Sequence, residues 1–158
     1  MTTSIAHTRM IPLGLVVALA AACRGGPPSP AQLDPRNDHC ANCRMAVSAP
    51  RFAAQLVAPG EEPRFFDDLG CLRDWLRSHS SALPRGAMTY VVDHRTGAWV
   101  RAAAALYARV PGLATPMGSE LVAHQDAASR VADRSLGRAV PVAPAELFGP
   151  AGPPDGKP

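Results

Sequence analysis

Two thiols and a thioether fall within one short segment, Asp38-His39-Cys40-Ala41-Asn42-Cys43-Arg44-Met45, with an imidazole near its head. Cys43 and Met45 are two residues apart, so an extended backbone sets both sulfurs on one face. Thiolate and thioether are soft donors that select Cu(I) over hard cations, and a methionine argues against an ordinary zinc site. The segment therefore reads as metal-handling, with His39 able to ligate or to tune it. Other owners of a Cys-x-x-Cys pair fit less well. A thioredoxin-type pair opens a helix after a strand, whereas Met45-Ala46-Val47 has extended character. A c-type haem site needs histidine where Arg44 stands, and structural zinc usually needs a second cysteine pair, which this sequence lacks. A disulfide between Cys40 and Cys43, or a three-cysteine, one-histidine site completed by Cys71, stays open.

Further residues offer chemistry at a distance. Met117 sits in Thr115-Pro116-Met117-Gly118-Ser119, a polar turn where a large thioether gains little by packing. It is either available to a metal or folded back on the core. Cys71 lies at the edge of an apolar helical stripe and reads first as a core thiol. Asp67 and Asp68 read as a helix cap and a first-turn charge, either of which can support the metal site from behind. His79 at a helix end and His94 in a turn read as exposed, and His124 at a strand end has no assigned role. Hydrolytic enzymes find no support: there is no Gly-x-Ser-x-Gly, no His-Glu-x-x-His and no glycine-rich phosphate loop.

Positioning these residues requires a framework. The pattern predicts strands over 45–48 and 52–58, a Pro59-Gly60 turn, a short apolar strand at 64–66, and a helix capped by Asp67 or Asp68 and running to about Ser80. Leu69, Leu72 and Leu76 recur at helical spacing, with Trp75 beside them. A strand over 89–93, a turn over 93–97 and a short strand over 98–100 follow. The second round is a strand at 106–110, a Pro111-Gly112 turn, a strand at 121–124, a helix from Asp126 to about Leu136 and a strand at 138–142. Strand-strand-helix-strand, twice, is an α+β plan.

The 158 residues suit one domain, with 47% hydrophobic residues but only 5% aromatics, so the core must be built from Leu, Val and Ala around a few large anchors. A formal charge of +3 without a Lys/Arg cluster excludes nucleic acid as an expected partner. Residues 1–22 read as a lipoprotein signal peptide: Arg9 precedes an apolar run, Ile11 to Ala22, that is too short to span a bilayer. Leu19-Ala20-Ala21-Ala22-Cys23 resembles a lipobox, although leucine usually occupies the place of Ala20, and Cys23 is the expected lipidation site. Residues 23–37 read as a lipid-anchored flexible tether, 38–143 as the folded domain and 144–158 as a Pro/Gly-rich disordered tail. Outside the cytoplasm disulfides are permitted, yet Cys40, Cys43 and Cys71 are an odd set, so at least one thiol is expected to be free or metal-bound.

Taken together, Cys40-Ala41-Asn42-Cys43-Arg44-Met45, Phe66-Asp67-Asp68-Leu69-Gly70-Cys71, Val92-Asp93 with Trp99, and Thr115-Pro116-Met117-Gly118-Ser119 resemble, in order and spacing, the NosL family of copper-binding lipoproteins that accompany nitrous oxide reductase. The resemblance spans 38 to about 142. It implies an α+β fold of two small ββαβ units packed together, with organomercurial-lyase-like topology. It also implies a Cu(I) chaperone rather than an enzyme, working with a copper-transport membrane complex to supply nitrous oxide reductase. Such a protein would be anchored through Cys23 to the bilayer, on the periplasmic face of a bacterial membrane. By position it marks Cys43, Met45 and Met117 as ligands, with Cys40 and Asp67 or Asp68 as further candidates. The family often has glycine where this chain has Arg44 and Glu120, and an aromatic where it has His124. Rival readings are a thiol-disulfide protein using Cys40 and Cys43, an organomercurial-lyase-like enzyme using Cys43, Cys71 and an aspartate, and a structural lipoprotein without metal.

Overall fold

A computed structural model of the protein describes residues 26–156. The expected signal peptide and the expected lipidation site, Cys23, lie outside the described residues. The body opens with β1 (Ala54–Val57), β2 (Arg64–Phe66), α1 (Leu69–Ser78) and β3 (Met88–Val92), joined at the edge by β4 (Trp99–Arg101). These strands form one antiparallel sheet in the order β2-β1-β3-β4. Asp68 caps α1: its extended backbone stops the preceding strand and its carboxylate accepts a hydrogen bond from Gly70 N–H. The apolar stripe seen in the sequence is the buried face of α1, with Leu69, Leu72, Trp75 and Leu76 against the sheet. Each such fully buried side chain contributes roughly 1.5–3 kcal/mol relative to exposure.

The second unit repeats this plan. β5 (Leu106–Arg109), β6 (Leu121–His124), α2 (Ala127–Ala132) and β7 (Val140–Val142) build an antiparallel sheet in the order β6-β5-β7. In both units the first strand is central, the second and third flank it, and the helix lies between those two in sequence. The expected pair of ββαβ units is therefore present. α2 is shorter than its sequence pattern predicts. Asp133 turns its carboxylate onto Ser135 N–H and Oγ, a local pairing that competes with continuation of the helix. The strand expected at 45–48 reduces to a single bridge, His39 with Ala46, and Pro50 starts a 3-10 turn over 50–52 that delays β1.

The two sheets meet where β3 ends. Asp93 bridges Ala123 in parallel and His94 N–H donates to Ala123 O at 2.9 Å. The Asp93 carboxylate then accepts from Gln125 N–H and Ser129 Oγ, tying the β3–β4 turn to the start of α2.

Both flanks expected to be loose are docked. Tyr90 Oη donates to Pro28 O, and Gln55 exchanges hydrogen bonds with the backbone N–H and O of Ala31, so the tether lies on the first sheet from about Pro28. The expected disordered tail instead forms α3 (Pro144–Phe148), which buries Leu147 and sets Phe148 edge-on against Tyr107. Beyond it the chain pairs with β3: Thr89 N–H donates to Pro154 O and Gly156 N–H to Ala87 O. Proline at 144 suits the first turn of a helix, and the backbone donors that prolines lack are supplied here by Thr89 and Gly156.

Candidate metal centre

The segment 38–47 closes as a tight loop. Cys40 N–H donates to Met45 O at 2.7 Å, Arg44 N–H to Cys40 O at 2.9 Å and Val47 N–H to Asp38 O at 3.0 Å. Ala41 N–H donates to Phe65 O and Cys40 bridges Phe65 in parallel, which pins the loop to the outer side of β2. To close, the loop passes through a left-handed residue, Arg44, at φ 68°. Glu120, at φ 58°, is the other non-glycine residue with positive φ among the described residues. These are the two positions where the family resemblance puts glycine, and the preference follows from the absence of a Cβ clash there.

Because β2 runs directly into the cap of α1, the pinned loop faces the start of that helix. Cys40, Cys43, Asp67 and Cys71 converge, each offering one ligand atom, with all four atoms within 4.8 Å of one another. Cys43 Sγ donates to Asp67 Oδ2 at 3.5 Å, and Asp67 Oδ1 is buried without a partner. All three cysteines are free; Cys40 and Cys71 are buried while Cys43 reaches the surface. Burial pushes the Cys71 thiol well up, and the neighbouring Cys40 and Asp67 add to the rise. Burial also raises Cys40. Two protonated buried thiols beside an unsatisfied carboxylate oxygen form a site that loses protons when a cation enters. Three soft sulfurs and one carboxylate are the donors of a thiophilic metal, Cu(I) or Zn(II).

Asp68 has a different task from Asp67. Its Oδ1 accepts from Gly70 N–H at 2.5 Å and its Oδ2 from Met117 N–H at 3.2 Å, so it ties the turn 115–119 to the top of α1. Gly70 allows the approach: a Cβ there would stand 2.9 Å from Ser119 Cβ. The result is a cavity of about 300 Å³ with Asn42, Cys71, Met117, Arg73 and Arg109 among its lining. Met117, 46% exposed, thus shares a cavity with a cysteine of the cluster, while Met45, 55% exposed, stands on the surface of the loop. His39 is exposed, bonded to Asn37 O, and is not part of the cluster.

The sequence pattern assigned Cys71 to the core, and the structure puts its sulfur in the cluster as well. The available signal was its spacing from Asp67, which sets carboxylate and thiol at the same helix end. Pattern alone also missed Asp93, His94, His124 and Asp133. His94, expected in solvent, is buried: its Nδ1 lies 2.8 Å from Asp133 Oδ2. His79 is exposed as expected, stacked on Trp75 with ring centroids 4.2 Å apart.

No helix among the described residues is long and apolar enough to cross a membrane. Comparison with known families finds one whose sequence model, described as NosL, matches residues 30–143, most of the chain. No curated protein matches the chain.

Proposed function

The chain belongs to the NosL family, and on that footing we propose that it is an extracytoplasmic Cu(I) carrier, lipid-anchored through Cys23, that supplies copper for the assembly of nitrous oxide reductase by way of a copper-transport membrane complex. Copper is cargo here, so the protein's work is to hold and release it without catalysing a reaction. The observation that carries this reading is the convergence of Cys40, Cys43 and Cys71 beside a cavity that Met117 also lines. Soft donors hold a d¹⁰ ion with few ligands. Cys43 is partly exposed, and Met45 and Met117 stand at the surface, so a partner's thiolate or thioether can approach from outside and exchange one ligand at a time. Asp67, bonded to the Cys43 thiol, is placed to take its proton as the metal enters. With the chain docked from about Pro28, an anchor at Cys23 keeps the domain near the bilayer rather than on a long lead.

Anaerobic chelator competition tests the assignment. Cys43→Ser and Met117→Leu are each expected to weaken Cu(I) binding with the circular dichroism spectrum unchanged. Wild-type affinity in both variants sinks the reading. Zn(II) run in parallel addresses the second ion that four clustered donors favour, since three thiolates and a carboxylate make a closed tetrahedral zinc set.

A further inference from the structure

Away from the cysteines, the junction of the two units gathers three other ligand-type side chains. His94 leaves the β3–β4 turn, His124 ends β6, and Asp133 closes α2. His94 Nδ1 and His124 Nε2 both address one oxygen, Asp133 Oδ2, at 2.8 and 3.1 Å. All three ligand atoms lie within 4.8 Å of one another, and all three residues are buried. We infer that His94, His124 and Asp133 form a second metal site, for a borderline divalent cation of the Zn(II) or Co(II) kind, which staples one ββαβ unit to the other.

The donor chemistry separates this site from the first. Two neutral imidazoles and a carboxylate suit Zn(II) or Co(II), and three protein ligands leave a fourth position for water; they offer Cu(I) no sulfur. Asp133 is held from behind, as metal-ligating carboxylates usually are. Asp133 Oδ1 accepts from Ser135 N–H at 3.2 Å and Ser135 Oγ at 2.5 Å, which leaves Oδ2 aimed between the two rings. The backbone of His94 is fixed twice, by its N–H on Ala123 O and by the Arg51 guanidinium on its carbonyl. His124 Nδ1 is buried without a partner, so Nε2 is the ring's one polar contact. Without metal, both rings carry their proton on the nitrogen facing Asp133. On coordination each ring proton moves to the nitrogen facing away, Nε2 of His94 and Nδ1 of His124, which frees the two facing lone pairs for the metal; no redox partner is required.

Co(II) titration of the reduced full-length chain reads the two sites separately. Cobalt on the cysteine cluster carries an intense near-ultraviolet thiolate charge-transfer band, whereas cobalt on two histidines and an aspartate shows visible d–d bands without it. We expect a sulfur-free component in the wild type that persists when the cysteine cluster is occupied by Cu(I). Its affinity should fall at least about tenfold in Asp133→Asn, and it should vanish in His94→Gln and His124→Phe. With the cysteine cluster already occupied by Cu(I), Zn(II) should raise the melting temperature of the wild type and leave that of Asp133→Asn unmoved. Should His124→Phe not fold, His94→Gln, nearer the edge, and Asp133→Asn, which keeps the side-chain volume, decide the matter. Cobalt absorbance that always tracks the thiolate band overturns the proposal and leaves a hydrogen-bonded latch; so does a sulfur-free component unchanged in Asp133→Asn.

Discussion

Arg44 stands between two candidate ligands, and its backbone explains more than its charge. The left-handed φ of 68° closes the loop that carries Cys40, Cys43 and Met45, and a residue with a Cβ there costs about 1 kcal/mol relative to glycine. Arg44→Gly is therefore expected to stabilise the fold by about 0.5–1 kcal/mol in urea denaturation, with the loop hydrogen bonds intact. Glu120→Gly should gain less, because the Glu120 carboxylate accepts Gly112 N–H at 2.7 Å and that bond is lost. Equal gains at the two positions would show that the side-chain bond contributes nothing. At the same scale Asp67 and Asp68, indistinguishable by type, divide by partner: one faces the thiols with an oxygen unsatisfied, the other is spent on the backbone of Gly70 and Met117.

Among the elements, α1 and the turn 115–119 set the distance between Cys71 and Met117. Gly70→Ala tests that contact. In an open helix alanine would stabilise by roughly 1 kcal/mol, but here the added Cβ would stand 2.9 Å from Ser119 Cβ. We expect a net loss of stability and weaker Cu(I) binding in chelator competition; a raised melting temperature would mean that the turn yields freely. The elements themselves were largely legible. Leu69, Leu72 and Leu76 announced α1, the aspartates announced both caps, and turn residues bounded the strands. What pattern could not reveal was packing at long sequence separation. The bridge from Cys40 to Phe65 that delivers the loop to Asp67 and Cys71 has no local signature, and neither does the one from Asp93 to Ala123 that buries His94. Proline-rich composition at the C-terminal end argued for disorder, and the free edge of β3 near Met88 and Thr89 overrode it.

For the molecule as a whole, the junction of the units sets its tolerance of acid. Burial alone would push Asp93 up, but hydrogen bonds from Ser129, Gln125 and Thr96 outweigh it and hold the carboxyl at about 2. A group depressed in the folded state contributes stability that is present above its unfolded value, near 4, and lost as pH falls toward 2. That contribution is about 2 kcal/mol. Urea midpoints of the wild type should drop across that window. Ser129→Ala, which removes the shortest of these bonds, should flatten the drop and cost about 1–2 kcal/mol at neutral pH; an unchanged acid profile would place the sensitivity elsewhere. Ser129 also occupies, in the second unit, the place that Cys71 holds in the first: each lies three residues after an aspartate that caps its helix. One architectural plan thus appears twice with sulfur in one copy and oxygen in the other. On the proposed reading the twins divide their labour, one copy trading in metal while its sibling serves as the keel.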